Sequence, residues 1–249
     1  MNALAGLSYD NTIEHEKDVL GGFRLLESGV YEFNIKLAYF EVSKNGATGV
    51  NCTFEDDNGK QYKEVFWATN RNGENFYIDK QSGEKRYLAG FIQADALALL
   101  TVGKPIAEVE TEQLVVKLYN DEAKAEVPTK VDAITEIMGQ KIKLGVIKQR
   151  VNKTKLNEST GKREPINEER MENATDKVFR ASDNKTTAEI RAQVEEAEFM
   201  NEWLGRWEGK LKDRYKEVKG GGAARAGAPR SAGAGAGAAS APKKSSLFA

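Results

Sequence analysis

Residues 140 to 155 read QKIKLGVIKQRVNKTK and carry Lys141, Lys143, Lys148, Arg150, Lys153 and Lys155 with no acid among them. The whole chain, by contrast, has a formal net charge of only -1. Like charges along one face of a strand repel one another unless something anionic compensates. Side chains on the same face of an extended strand recur about every 7 Å. That spacing approximates the phosphate repeat of an extended single strand, so the chemistry such a row can do is to bind a polyanion.

Single-stranded nucleic acid also requires aromatic faces, because each stacked base contributes about 1 to 3 kcal/mol regardless of sequence. Three adjacent pairs meet that need: Tyr39 and Phe40, Phe66 and Trp67, Phe76 and Tyr77. Cations flank each of them, with Lys36 and Lys44, Lys63 and Arg71, and Lys80. Neighbours on a strand point to opposite faces, so one member of a pair packs inward and the other needs a different use. For a single aromatic, core packing is the commoner role. The interleaving of three pairs with cations points to binding. The candidate contacts are therefore Lys36, Tyr39, Phe40, Lys63, Phe66, Trp67, Arg71, Phe76, Tyr77, Lys141, Lys143, Lys148, Arg150 and Lys153.

Catalysis finds little support. The only histidine, His15, lies in a polar N-terminal stretch, and the only cysteine, Cys52, alternates with apolar residues as a buried hydrophobe would. Those two leave no zinc cluster and no Ser/His/Asp or Cys/His set. The glycine runs at 21 to 23 and 220 to 227 lack the Lys-Ser/Thr of a phosphate loop. Neither catalytic residues nor a cofactor nor a metal are expected. No apolar run approaches the roughly 18 residues of a membrane span, and the N-terminus lacks the basic start and apolar core of a signal peptide. A cytosolic protein is expected.

The elements that must position these residues begin at Gly29 to Asp79, where the period is two. VYEFNIKLAYFEV sets Tyr31, Phe33, Ile35, Leu37 and Tyr39 on one face, and VNCTFE repeats the device with Val50, Cys52 and Phe54. Asn58-Gly59 supplies two positive-φ positions for a tight hairpin, and KQYKEVFWAT returns as the partner strand. From Arg86 the period lengthens: Leu88, Phe91, Ile92, Ala96, Leu99 and Leu100 have helical spacing, ending near Gly103. TEQLVVKLYN fits strand or helix. After Pro128, Thr129 can cap a short helix through Ile137.

In the basic segment Ile142, Leu144 and Val146 alternate with Lys141, Lys143 and Gly145, and the parity reverses at Val146-Ile147. One extra residue, a β-bulge beside Gly145, would keep apolar residues inward and cations outward and curve the strand around a small barrel. A hairpin tip at Ser159 to Lys162 leads into an ordered loop. TTAE at 186 to 189 is a capping box opening one amphipathic helix, with a stripe from Ile190 through Met200, Leu204 and Trp207 to Tyr215. Residues 220 to 249 form a Gly/Ala/Ser-rich tail without an acid, a disordered tether whose tip presents Leu247 and Phe248 to a partner.

The segments YLAGFIQADALALLTVGK, ETEQLVVKLYNDEAKAEVPTKVDAITEIMGQKIKLGVIKQ, RMENATDKVF and AEIRAQVEEAEFMNEWLGRWEGKLKDR, with the Gly/Ala tail, resemble the single-stranded DNA-binding proteins of tailed bacteriophages. The resemblance runs over roughly residues 25 to 218 and lies in segment order. It implies a mainly β fold with added helices (α+β): an OB-like small barrel with helical insertions and a C-terminal amphipathic helix over residues 1 to 219. It further implies sequence-tolerant protection of single-stranded DNA during replication and recombination, in the cytoplasm of the infected host cell and without enzymatic activity. A phage DNA polymerase, helicase or primase would be recruited through the tail. This tail is basic, with Arg225, Arg230, Lys243 and Lys244, where homologues carry acids before an aromatic tip. The alternative is a non-enzymatic replisome scaffold, in which the barrel and the Trp203/Trp207 helix bind proteins and the basic strand is merely solvated.

Overall fold

The computed structural model describes residues 25–120 and 123–218. Three antiparallel strands open the fold: β1 (Gly29–Val42), β2 (Thr48–Glu55) and β3 (Gln61–Trp67). Their alternation buries Phe33 and Ile35 with Val50, Cys52, Phe54, Tyr62 and Phe66 in one core. A bulge at Lys36 breaks the period, since Ile35 faces Phe54 and Leu37 already faces Thr53. Past it Ala38 faces the core, while Leu37 and Tyr39 move to the outer face, contrary to the single alternation expected from sequence. The β2–β3 turn is also longer than a two-residue hairpin. Only Gly59 has positive φ, at 77°, and the Asp56 carboxylate accepts the Asn58 and Lys60 N–H groups at 3.0 and 2.8 Å.

The short strands β4 (Phe76–Ile78) and β5 (Lys85–Tyr87) form a separate ribbon ahead of α1 (Ala89–Thr101), which buries Ala94, Leu97, Ala98 and Leu100 and stops before Gly103 at φ 74°. The ambiguous segment is a strand, β6 (Glu112–Asn120), paired with β7 (Ala125–Ala133). Thr129 therefore lies within β7 and caps nothing; helical geometry is confined to a 3-10 turn at Thr135–Ile137. Pro128 is tolerated in the strand because β7 meets β1 only at Asp132 and Ala133, leaving no ladder on that side for it to interrupt.

The basic segment opens β8 (Lys141–Asn157), and β9 (Lys162–Arg180) returns along its whole length where an ordered loop was expected. Mixed charge sustains this distal ribbon through cross-strand neighbours such as Lys155 and Glu164, without burial. A bulge lies beside Gly145, but its extra residue, Asp176, is on β9 and not on β8, so the expected reset of β8 does not occur: Val146 joins the first core, while Ile147 points to the opposite face and packs with Phe179 and Trp203. Next come α2 (Thr187–Arg191), with the Thr186/Glu189 capping box formed, α3 (Phe199–Trp207) and β10 (Leu211–Asp213), parallel to β8. The single C-terminal amphipathic helix does not form. Gln193 turns to φ 54°, and the Glu189 carboxylate accepts the Glu198 and Phe199 N–H groups at 2.9 Å each, starting a second helix. Its Trp203 packs against Ile147 and Phe179.

The class is mainly β with added helices. The strand order β9-β8-β1-β2-β3 leaves β3 and β9 as edges, and no ladder joins them, so the sheet is not closed into the barrel that was expected. The physical reason lies in α1 and side chains. α1 packs on both edge strands and its Gln93 amide donates to the Thr175 carbonyl, while the Thr175 N–H donates to the Glu64 carboxylate at 2.9 Å. A carboxylate spans the seam where a ladder would otherwise run. No helix among the described residues is long and apolar enough to cross a membrane.

Candidate nucleic-acid interface

Strand parity decides what the outer face of β1, β2 and β3 presents. Phe66 is inward at 1% exposed, and its neighbour Trp67 is outward at 40%. The indole lies over Gly49, directly opposite on β2, where a Cβ would stand 2.9 Å from Trp67 Cε3 and from Val65 Cγ1. Only glycine lets the ring rest on the backbone there. Lys63 shares this face, opposite Thr53, and makes no ion pair among the described residues. Its neighbour Lys36 is tied to Glu55, which also accepts from Gln61.

The β6–β7 hairpin curls over this face. Lys63 of β3 and Tyr119 of β6 line one groove of about 460 Å³, with Tyr39, Asn51, Thr53 and Thr129. Near the hairpin's base Val131 and Leu114 pack on Tyr39, leaving it 7% exposed. Burial, together with Glu41, pushes the Tyr39 hydroxyl up to about 12. Tyr39 is thus a wall of the groove and no stacking platform. Tyr119, 64% exposed, and Trp67 are the free aromatic faces of the hairpin and the sheet.

The basic track of β8 is not free. Lys141 contacts Glu32 at 3.2 Å and Asp57 at 3.8 Å, and Lys143 contacts Glu32 at 3.5 Å and donates to Asn184 at 2.8 Å. Lys148 pairs with Glu27 at 2.7 Å, and Lys153 with Glu168 at 3.1 Å. Arg150 touches Glu169 at 2.7 Å and lies 4.9 Å from the Tyr215 ring centre. The compensating acids come from neighbouring strands and turns, so the repulsion inferred from the sequence is already answered within the fold. Glu32 is held below the usual carboxylate range, chiefly by the hydrogen bond from Lys141.

Of the expected contacts, the structure gathers Lys36, Tyr39, Lys63 and Trp67 on the outer face. Phe40 packs against the core beside buried Phe66, so neither is available for stacking. Phe76 and Tyr77 stand on the β4–β5 ribbon, Arg71 in the turn after β3 near Gly46, and Lys148, Arg150 and Lys153 along the distal part of β8. Leu247, Phe248, the tail and His15 lie outside the described residues. Tyr119 escaped sequence reasoning because its segment was left between strand and helix; once read as a strand, VVKLYN exposes Lys117 and Tyr119 by parity.

Glu64 was missed too, since nothing in KQYKEVFW distinguishes its carboxylate from surface ones. It accepts hydrogen bonds from the Tyr62 and Thr175 hydroxyls as well as from the Thr175 N–H. Burial raises its pKa above the ordinary value against the opposing pull of these donors. Among the described residues no group of three His, Cys, Asp or Glu is arranged to hold a metal ion. The groove combines π faces, the Lys63 ammonium and neutral hydrogen-bonding groups, with the Glu41 carboxylate also in its wall, tied to the Asn51 amide at 2.7 Å. No family model and no curated protein sequence matches the chain.

Proposed function

We propose that the protein binds single-stranded DNA with little sequence preference, along the groove between the β6–β7 hairpin and the outer face of β1, β2 and β3. The observation that carries this is the outward Trp67, laid on Gly49, on the same face of β3 as Lys63, which has no ion pair among the described residues. A half-exposed indole on an open sheet face offers a base a stacking surface, and the Lys63 ammonium farther along the same face suits a phosphate of the bound strand. The strand meander crossed by a long β1, with α1 between β3 and the later strands, supports an OB-like half-barrel. With the resemblance to phage single-strand binders, it favours protection of replication and recombination intermediates in an infected cell, with the C-terminal tail as the contact for replication partners.

Fluorescence titration with poly(dT) at two salt concentrations tests it. Trp67→Ala should weaken binding by about 1 to 3 kcal/mol with little loss of stability. Lys63→Gln should flatten the slope of log affinity against log salt by about 0.7, the contribution of one phosphate on a single strand. Unaltered binding by Trp67→Ala would refute the groove.

One observation favours the scaffold reading instead. Lys141, Lys148, Arg150 and Lys153 of β8 each have a carboxylate of the same chain beside them, so they do not by themselves ask for a polyanion. Absence of salt-dependent binding to poly(dT) would decide for that alternative.

A further inference from the structure

The β4–β5 ribbon has two unlike faces. Its register sets Phe76 opposite Tyr87 and Ile78 opposite Lys85 on one face, and Tyr77 opposite Arg86 on the other. On the second face Arg86 is met by Asp79 at 3.7 Å and Glu84 at 3.8 Å. On the first, Lys85 has no carboxylate partner among the described residues, and its ammonium stands 4.3 Å from the centre of the Phe76 ring. Tyr87 is 60% exposed and is braced from behind by Phe91, at 5.1 Å between ring centres.

Phe76, Tyr87, Lys85 and Asn75 wall a recess of about 320 Å³, within the range of small-molecule clefts. Two aromatic walls and an unneutralised cation form a set that a base and its phosphate complement, whereas an apolar peptide anchor would leave the ammonium unmatched. The recess also lies near the end of β3 that carries Trp67. Gly90 in the first turn of α1 lies on the Trp67 backbone so closely that a Cβ there would come within 2.3 Å of the Trp67 carbonyl oxygen. Tyr87 is three residues before Gly90, so their Cα atoms are at most about 11 Å apart.

We infer that the Phe76/Tyr87 recess is a second nucleotide subsite, taking one base between its rings and the attached phosphate on Lys85, on the strand that leaves the groove past Trp67. This rests on the single-strand reading above and extends it. The added residues are Tyr87, Lys85 and Asn75.

Anisotropy titration of the full chain with a length series of labelled oligo(dT), from about 4 to about 16 nucleotides, separates the two claims. Tyr87→Ala should bind the shortest oligomers as wild type does and lose about 5-fold to about 150-fold on those long enough to reach the ribbon, the worth of one stacked base. Tyr87→Leu keeps an apolar contact to Phe91 without a π face and should lose as much, excluding a folding defect as the cause. Lys85→Gln should reduce the salt slope on long oligomers alone. If Tyr87→Ala, Tyr87→Leu and Lys85→Gln bind every length like wild type while Trp67→Ala is weakened, the subsite is refuted and the groove stands. If no oligomer binds wild type, both fall.

Discussion

Glu64 holds the seam between the two edge strands, and replacing it tests how the open sheet is kept together. Its carboxylate accepts the Thr175 N–H at 2.9 Å and the hydroxyls of Thr175 and Tyr62, and Thr175 is 4% exposed. Glu64→Ala strands that N–H in a buried position, at a cost of about 1 to 3 kcal/mol. Glu64→Gln keeps the length and one oxygen to accept from Thr175, so the seam should survive. Burial raises the Glu64 pKa above its ordinary value of 4.5, with the Glu172 charge adding to the effect and the hydrogen bonds opposing it. A raised folded-state pKa means that the folded protein holds the proton more tightly than the unfolded chain. The stability this group contributes is complete below about 4.5 and is lost as pH rises through the folded value. Each pH unit separating the folded from the unfolded pKa corresponds to about 1.36 kcal/mol.

Urea unfolding of wild type and Glu64→Gln across pH 4 to 8 isolates this group, because the other carboxylates cancel in the difference. Wild-type stability relative to the Gln variant should fall with rising pH and then level off. A difference that grows with pH would mean that the three donors outweigh burial and that the folded pKa is depressed. Equal stability of Glu64→Ala and wild type at every pH would show that the seam contributes nothing to holding the edges together.

Two further outcomes are expected. Glu32→Gln releases Lys141 and Lys143 from their shared partner and, if the bound strand also reaches β8, should tighten single-strand binding by up to about 5-fold at low salt, the scale of an exposed ion pair, as read by the same poly(dT) titration; unchanged binding would place β8 outside the interface. Gly90→Ala drives a Cβ to 2.3 Å from the Trp67 carbonyl oxygen, so α1 or β3 must move, and the urea midpoint should fall by the equivalent of about 1 to 3 kcal/mol; an unchanged midpoint would contradict the close approach of helix and strand.

Much of the fold is legible in period alone. The alternation in β2 and the neighbours Phe66 and Trp67 specify a strand with one ring in and one out, and the Thr186/Glu189 spacing specifies a helix start, because each depends on residues a few positions apart. Period fails where two parities are both apolar. In NIKLAYF either Leu37 and Tyr39 or Ala38 and Phe40 could face the core, and the bulge at Lys36 selects the second set. Nor does amphipathic spacing reveal that the Glu189 carboxylate caps the start of α3 and so divides the C-terminal helix.

The basic run misleads for a different reason. An acid-free stretch of strand reports only on repulsion along the chain, whereas a β-sheet compensates charge across it. Lys141 finds its acid 109 positions away in Glu32, and Lys148 finds Glu27 at a separation of 121. Both partners lie near the start of β1, which no reading of residues 140 to 155 could couple to them without the β1–β8 register. A cation's availability to a ligand is thus a property of its cross-strand neighbours. By that criterion Lys63, which looks unremarkable in KQYKEVFW, is better disposed toward a phosphate than any of the five β8 cations with a carboxylate already beside them.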